Sequence, residues 1–374
     1  MKFFRMITLF VLVSFCLTGC WDREYLKDIQ LAYSAGFDLT EEGKIKETVE
    51  IIIPPESEQA TTRNEIHTST GETMRSSSVE MRHKVRGNMR FTKNGFILIG
   101  KKLAEHGLVP TLDVNYRDPS NPTSNVRVII SEQESFDILN QKMVGELKIG
   151  EFITQKIISL EKLSVFFPSE TLDTVFRSLK DPGQDFALPY LGQQENEIVA
   201  KGVALFHDQY YSGKLDANQS ILLVLLKGQD GGNARFTRKI EGGYSDRTQG
   251  SISINVGKKK VKRKFKVSVT EEGRIEVDLN LKLKAIVEEY TGKQSLEGEE
   301  ITKINQELSE MLTKDAEEII RELQRANSDI FGVGRKLIAY HNKVWKTKNW
   351  NEDYRKVQFH PKVEVEIVDT GTLQ

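Results

Sequence analysis

The sequence predicts an α+β protein of more than one domain, with mixed or antiparallel sheets packed by helices and a C-terminal antiparallel sheet covered by a long amphipathic helix. Three observations predict it. Phe265, Val267 and Val269 alternate with polar residues, Glu271-Glu272-Gly273 turns the chain, and Ile275, Val277, Leu279, Leu281, Leu283 and Ala285 then recur at every second position. This is a hairpin with one wet face. Ile301, Ile304, Leu308, Met311, Leu312, Ile319, Leu323 and Ala326 fall at steps of three and four among charged residues, which makes one long helix with an apolar stripe. The 374 residues, 38% hydrophobic and 29% charged, suffice for two or three globular domains.

From the N-terminus, Lys2 and Arg5 precede an apolar stretch from Met6 to Leu17, too short for the ~20 apolar residues of a bilayer crossing. Residues 1–19 read as a secretory signal peptide. Its end, Leu17-Thr18-Gly19-Cys20, resembles the lipobox of bacterial lipoproteins, where cleavage falls before the cysteine and the thiol carries a diacylglyceryl group. The alternatives are an ordinary signal peptide with a chance cysteine, or an uncleaved anchor. The other cysteine, Cys16, lies inside the removed segment, so the mature chain has no disulfide to form. Two or more acyl chains, at ~0.8 kcal/mol per buried methylene, tether firmly where one is reversible.

Beyond the tether, an N-terminal α/β domain is expected over residues 20–193. Glu47 to Ile53 is a strand stopped by Pro54-Pro55, and Ser57 to Ser78 reads as a polar loop leading into a helix that continues to Val85. Phe96 to Ile99 and Val126 to Ile130 are strands; Lys101 to His106, Ser135 to Lys142 and Ser169 to Leu179 are helices. Asp181-Pro182-Gly183, with Leu188 to Glu195 behind it, marks the first boundary. A middle α/β domain, residues 196–245, holds paired strands Ile198 to Phe206 and Tyr210 to Leu215 and a helix from Ala217 to Lys227 ended by Gly228. The C-terminal α+β domain, residues 246–374, adds to its hairpin and long helix a further helix over Phe331 to Trp345 and a final strand at Val363 to Ile367.

Charge argues against a nucleic-acid binder: without Lys2 and Arg5 the chain has 51 basic and 54 acidic residues, a net charge of −3. Motifs for chemistry are sparse. Gly95 to Lys102 fits the spacing of a phosphate-binding loop, but Lys102 stands where Ser or Thr must hold a metal, and the four residues between the glycines form a strand-like apolar run. The six histidines, His67, His83, His106, His207, His341 and His360, share no i,i+4 pair, and there is no Gly-x-Ser-x-Gly elbow. No catalytic, cofactor or metal site is predicted, and most carboxylates fall on wet faces. The basic run Gly257 to Lys266 is read as lysines on a sheet edge with Val261 and Phe265 inward, or as a headgroup or partner contact. Trp345 and Trp350 are read as packing at a helix end, or as an interfacial anchor.

An ordered set of blocks then resembles a known family. Gly19-Cys20-Trp21-Asp22-Arg23-Glu24 is followed by AYSAGFDLTEEGKIKETVEIIIP, Arg90-Phe91-Thr92, Ile99-Gly100, Leu103-Ala104, Ala200 to Phe206, DIFGVGRKLIAYHNKVWKTKNW and the last Val-Glu-Val-Glu-Ile strand. The chain resembles the Ger(x)C lipoproteins, the C subunits of nutrient germinant receptors in endospore-forming bacteria. It departs from them at Leu215 to Gly228, where the family has a more acidic helix start. The resemblance implies three α/β domains, a lipid at Cys20 on the outer face of the spore inner membrane, partnership with the receptor's A and B subunits, and no enzymatic activity. It leaves contact with the nutrient open. A solute-binding lipoprotein of an importer, with two doubly wound lobes, is the alternative; an envelope hydrolase, marked by His and carboxylate groups converging in one pocket, is the third reading.

Overall fold

The computed structural model of the protein describes residues 3, 29–53, 55, 62–119, 121–195, 197–229, 232–240, 250–292 and 296–370. The chain enters the first sheet as an antiparallel meander of β1 (Ile29–Leu39), β2 (Ile45–Ile53) and β3 (Arg63–Gly71). After α1 (Met74–Arg82), β4 (Asn88–Arg90) lies parallel to the start of β1, and β5 (Phe96–Gly100) parallel to its later half. Helices α2 (Lys101–His106) and α3 (Val109–Arg117) lead to β6 (Arg127–Ser131), parallel to β5. Next come α4 (Ser135–Leu139), the small ladder of β7 (Met143–Val144) and β8 (Leu147–Lys148), α5 (Ile149–Lys162) and α6 (Leu172–Leu179). Then β9 (Ala187–Gln194) runs parallel to β6, and β10 (Glu197–His207) and β11 (Tyr210–Asp216) complete the edge antiparallel. The order is β11-β10-β9-β6-β5-β1-β2-β3, with β4 also on β1.

The middle strands are buried on both faces. Phe96 and Leu98 pack with Ile129, Leu139 and Ile153 on one side, while Ile97 and Ile99 pack with Val128, Ile130 and Leu112 on the other. Helices cover both faces, so these strands read as unbroken apolar runs. Gly95 to Lys102 is accordingly a buried strand running into α2, not a phosphate cradle.

The expected polar loop at Ser57 to Ser78 is corrected by β3, which occupies Arg63–Gly71. As an edge strand, β3 needs only β2 for its ladder, and its polar side chains are served locally, as where Ser69 Oγ donates to the Ser77 carbonyl at 2.8 Å. Pro54 and residues 56–61 lie outside the described residues. The division expected between 193 and 196 falls at the turn of the β9–β10 hairpin, whose register from Gln194↔Glu197 to Ala187↔Leu205 joins both sides in one sheet.

Helix α7 (Ala217–Lys227) starts at Asp216, which exchanges side-chain and backbone bonds with Gln219, and ends at Gly228 with φ 82°. The second sheet has the order β12 (Ala234–Ile240), β13 (Gly250–Val256), β15 (Ile275–Tyr290), β14 (Val261–Val269). Helix α8 (Glu299–Arg325) lays Ile304, Leu308, Leu312, Ala316, Ile319 and Leu323 onto the dry face, against Ile252, Val277, Leu279, Leu281 and Leu283. The hairpin and its covering helix are as expected. The last strand, β16 (Gln358–Asp369), is not antiparallel: it pairs with β15 in parallel, because the chain returns to the same end of the sheet through a helical crossover. That crossover contains α9 (Val333–Tyr340), α10 (Asn342–Trp345) and α11 (Trp350–Asp353) in place of the one helix expected over Phe331 to Trp345. The break falls at His341, whose φ −133° and ψ 43° are not helical.

A polar stripe on α8 seals the outer edge of β16. Asn305 Oδ1, Ser309 Oγ and Thr313 Oγ1 accept from the backbone N–H groups of Ile367, Val365 and Val363 at 2.9, 2.9 and 3.0 Å. The periods match: four helical residues rise about 6 Å and two strand residues about 6.6 Å. The sequence shows these three only as neutral residues among the charges of a wet helix.

Candidate functional site

Cys20, the one predicted site residue, lies outside the described residues. The polar centre that the structure does show is a junction between the two sheets, built by three segments distant in sequence: the Asp181–Asp185 turn before β9, the His207–Gln209 turn between β10 and β11, and Asn327–Gly334 between α8 and α9.

Asp329 is its hub and is 1% exposed. Its carboxylate accepts from the Val333 and Gly334 amides at 2.9 and 2.8 Å and from the Trp350 indole at 3.2 Å. Burial pushes its carboxyl up to about 7 in spite of these three donors, and the charge on Asp185 adds to the rise. Backbone and side chain interlock across the junction. Asp329 N donates to Asp185 Oδ2 at 2.8 Å, Asp185 N donates to the Asp329 carbonyl at 3.0 Å, and Asp208 N donates to Asp185 Oδ1 at 2.8 Å. Ser328 Oγ donates to the Phe206 carbonyl. Asn327 Nδ2 reaches the Asn351 carbonyl at 2.7 Å and His207 Nε2 at 3.1 Å. Asp185, with its oxygen 3.7 Å from Nδ1, raises the His207 pKa above its ordinary value against the opposing effect of burial.

Glycines let the backbones meet. Arg335 N donates to the Gly183 carbonyl at 2.9 Å, and a Cβ on Gly334 would stand 2.7 Å from Gly183 Cα and 2.8 Å from Trp350 Nε1. Gly332, at φ 70°, supplies the left-handed turn into α9. Arg335 closes the rim with Asp181 Oδ2 at 3.0 Å. Around this centre the rings of Trp345, Trp350, Tyr354 and Phe359 follow one another at centroid distances of 5.5, 5.8 and 6.3 Å. Both tryptophans therefore take part in packing. The basic run also matches its edge reading, since β14 ends the sheet order with Lys262, Lys264 and Lys266 exposed while Val261 and Phe265 pack on the core.

Sequence reasoning missed this centre, because it placed the carboxylates on wet faces. The convergence named as the mark of a hydrolase does occur, with donor atoms of Asp185, His207 and Asp208 within 4.8 Å of one another. Both Asp185 oxygens hold backbone amides and the nearby Ser328 hydroxyl holds the Phe206 carbonyl, while His207 Nδ1 is buried without a hydrogen-bond partner among the described residues. The arrangement joins the chain's own halves. The readable signal was the segment Asp329 to Gly334, an aspartate followed at four and five residues by helix-starting amides with glycines between.

Fold and junction together define a class: a multi-sheet α+β protein in which a buried polar cluster around Asp329 ties two unlike sheets together. Within that class, residues 22–193 match the spore germination protein N-terminal domain and residues 201–371 match the family described as spore germination B3/GerAC like, C-terminal. The chain belongs to this family of spore germination proteins, the Ger(x)C family. It is 22% identical over 368 residues to the spore germination protein GerQC of Bacillus cereus, covering 98% of this chain and 99% of that one. It is 22% identical to the putative spore germination protein YfkR of Bacillus subtilis (strain 168), covering 97% and 96% of the two chains. The crystal structure of the GerBC protein superposes with a TM-score of 0.55 at 16% identity, over 93% of this chain and all of that one. The α+β fold is thus that of GerBC.

Proposed function

We propose that the chain is the lipid-anchored C subunit of a nutrient germinant receptor, acting in spore germination by assembling with the membrane-embedded B subunit and the A subunit on the outer face of the spore inner membrane. The observation that carries this reading is the Leu17-Thr18-Gly19-Cys20 lipobox ahead of a body that belongs to the germination family. Among the described residues no helix is long and apolar enough to cross a membrane; in this reading the attachment is an acyl group on Cys20. The subunit is not an enzyme; its contribution is presentation. Confinement to a layer at the membrane raises its effective concentration at partner subunits without added contact energy. Two sheets of different size and topology support this reading over two similar solute-binding lobes.

The test replaces Cys20 with Ala. The variant is expected to leave the membrane fraction when partner subunits are absent and to lose germination with nutrient. A Cys20→Ala protein that stays with membranes without its partners, and that still supports germination, defeats the proposal.

A further inference from the structure

We propose that the end of the first sheet at which the chain enters it is a docking surface for the anionic headgroups of a bilayer; this rests on the lipid-anchor reading above. β1 begins at Ile29, and the register places Asn88 beside Ile29 and Arg63 opposite Ile53 at that same end. The turn into β5 arrives here too, with Gly95 N bonded to the Tyr33 carbonyl at 3.0 Å. Arg63, Arg86 and Lys93 are exposed at this end, and none is ion-paired to a described residue. Lys93 and Lys148 together line a cleft of about 430 Å³ with Tyr33, Ile52 and Thr62, its carboxylate being Glu151. Among the described residues, Glu65 on the neighbouring edge strand lies 3.1 Å from His67 Nε2.

The opposite end differs. Where β1 stops, Lys44 pairs with Glu42 and Glu72 at 3.3 and 3.5 Å, and Lys46 with Glu134 at 2.9 Å, so these two cations are neutralised within the protein. Covalent reach completes the case. The nine steps from Cys20 to Ile29 span at most about 30 Å when fully extended, so an acyl group on Cys20 holds the basic end close to the headgroup layer. Contact is needed for the attraction to act, since physiological salt screens beyond about 8 Å. At about fivefold in partition per basic residue near an anionic surface, three exposed cations contribute on the order of a hundredfold.

The experiment uses the mature chain from residue 20 with Cys20→Ser, which removes acylation, and measures co-sedimentation with vesicles of phosphatidylcholine alone or with about a third phosphatidylglycerol. Binding is expected only to the anionic vesicles and is expected to weaken as salt rises. The triple variant Arg63→Gln, Arg86→Gln, Lys93→Gln is expected to lower the partition coefficient by about a hundredfold with an unchanged melting temperature. The matching variant on β14, Lys262→Gln, Lys264→Gln, Lys266→Gln, is expected to leave it unchanged. Equal binding to both vesicles, no binding to either, or loss only in the β14 variant overturns the proposal. The anchor reading is tested separately by the mass of the native protein: a bare thiol at Cys20 sinks the anchor and leaves the vesicle result to stand by itself.

Discussion

Replacing Asp329 with Asn should flatten the dependence of stability on pH. In the folded protein burial raises this carboxyl from 3.8 to about 7. A carboxyl raised by folding contributes fully below its unfolded pKa, and that contribution is lost as pH climbs through the folded value. The gap of about three pH units corresponds to about 4 kcal/mol in total, of which about 2 kcal/mol falls between pH 5 and pH 7. Glu47 is buried beneath Ser77 and Ser78 with its carboxyl likewise raised by burial to about 7, so it contributes with the same sign. His207, raised by its contact with Asp185, also loses its contribution as pH rises through its folded pKa. Thermal melts from pH 5 to pH 8 should show the wild type losing stability throughout. Asp329→Asn removes about 2 kcal/mol of that slope between pH 5 and 7, and Glu47→Gln a similar amount. The Asn variant also loses absolute stability, because its amide turns a donor toward amides that Asp329 accepts, at about 1–3 kcal/mol. The slope is therefore the readout, and an Asp329→Asn protein that keeps the full wild-type slope refutes the assignment of a buried, proton-sensitive hub.

Two further substitutions test the packing. Gly334→Ala forces a Cβ against the Gly183 backbone, for which neither chain has room, and is expected to cost about 3 kcal/mol or more; a melt within 1 °C of wild type would contradict the close approach. Ser309→Ala leaves the Val365 amide facing a methyl group on the sealed edge of β16, at about 1–3 kcal/mol, and amide exchange at Val365 should accelerate while Leu281 in β15 stays protected.

Legibility followed the range of the forces involved. The β14–β15 hairpin, α7 and α8 are written in short-range periods and local caps, so their alternation, the Asp216–Gln219 exchange and Gly228 suffice to place them. β3 carries no such pattern, because an edge strand with polar side chains has the composition of a loop. The parallel seating of β16 depends on a crossover, which its own alternating residues cannot specify. The junction was hidden for a related reason. Asp185 and Asp329 are 144 residues apart, and Asn327 and His207 are 120 apart, so burial of any one is decided by a contact that no local window contains.

One feature of the first sheet governs how the molecule can move. β1, nearest the N-terminus, and β10–β11, which lead into the C-terminal half, belong to a single hydrogen-bonded slab, and the junction at Asp329 pins the second sheet to its end. The seam between the two family regions is therefore not a hinge. A tilt applied at Ile29 swings the far half as a lever arm, and decoupling the halves requires unzipping a strand pair rather than bending a linker.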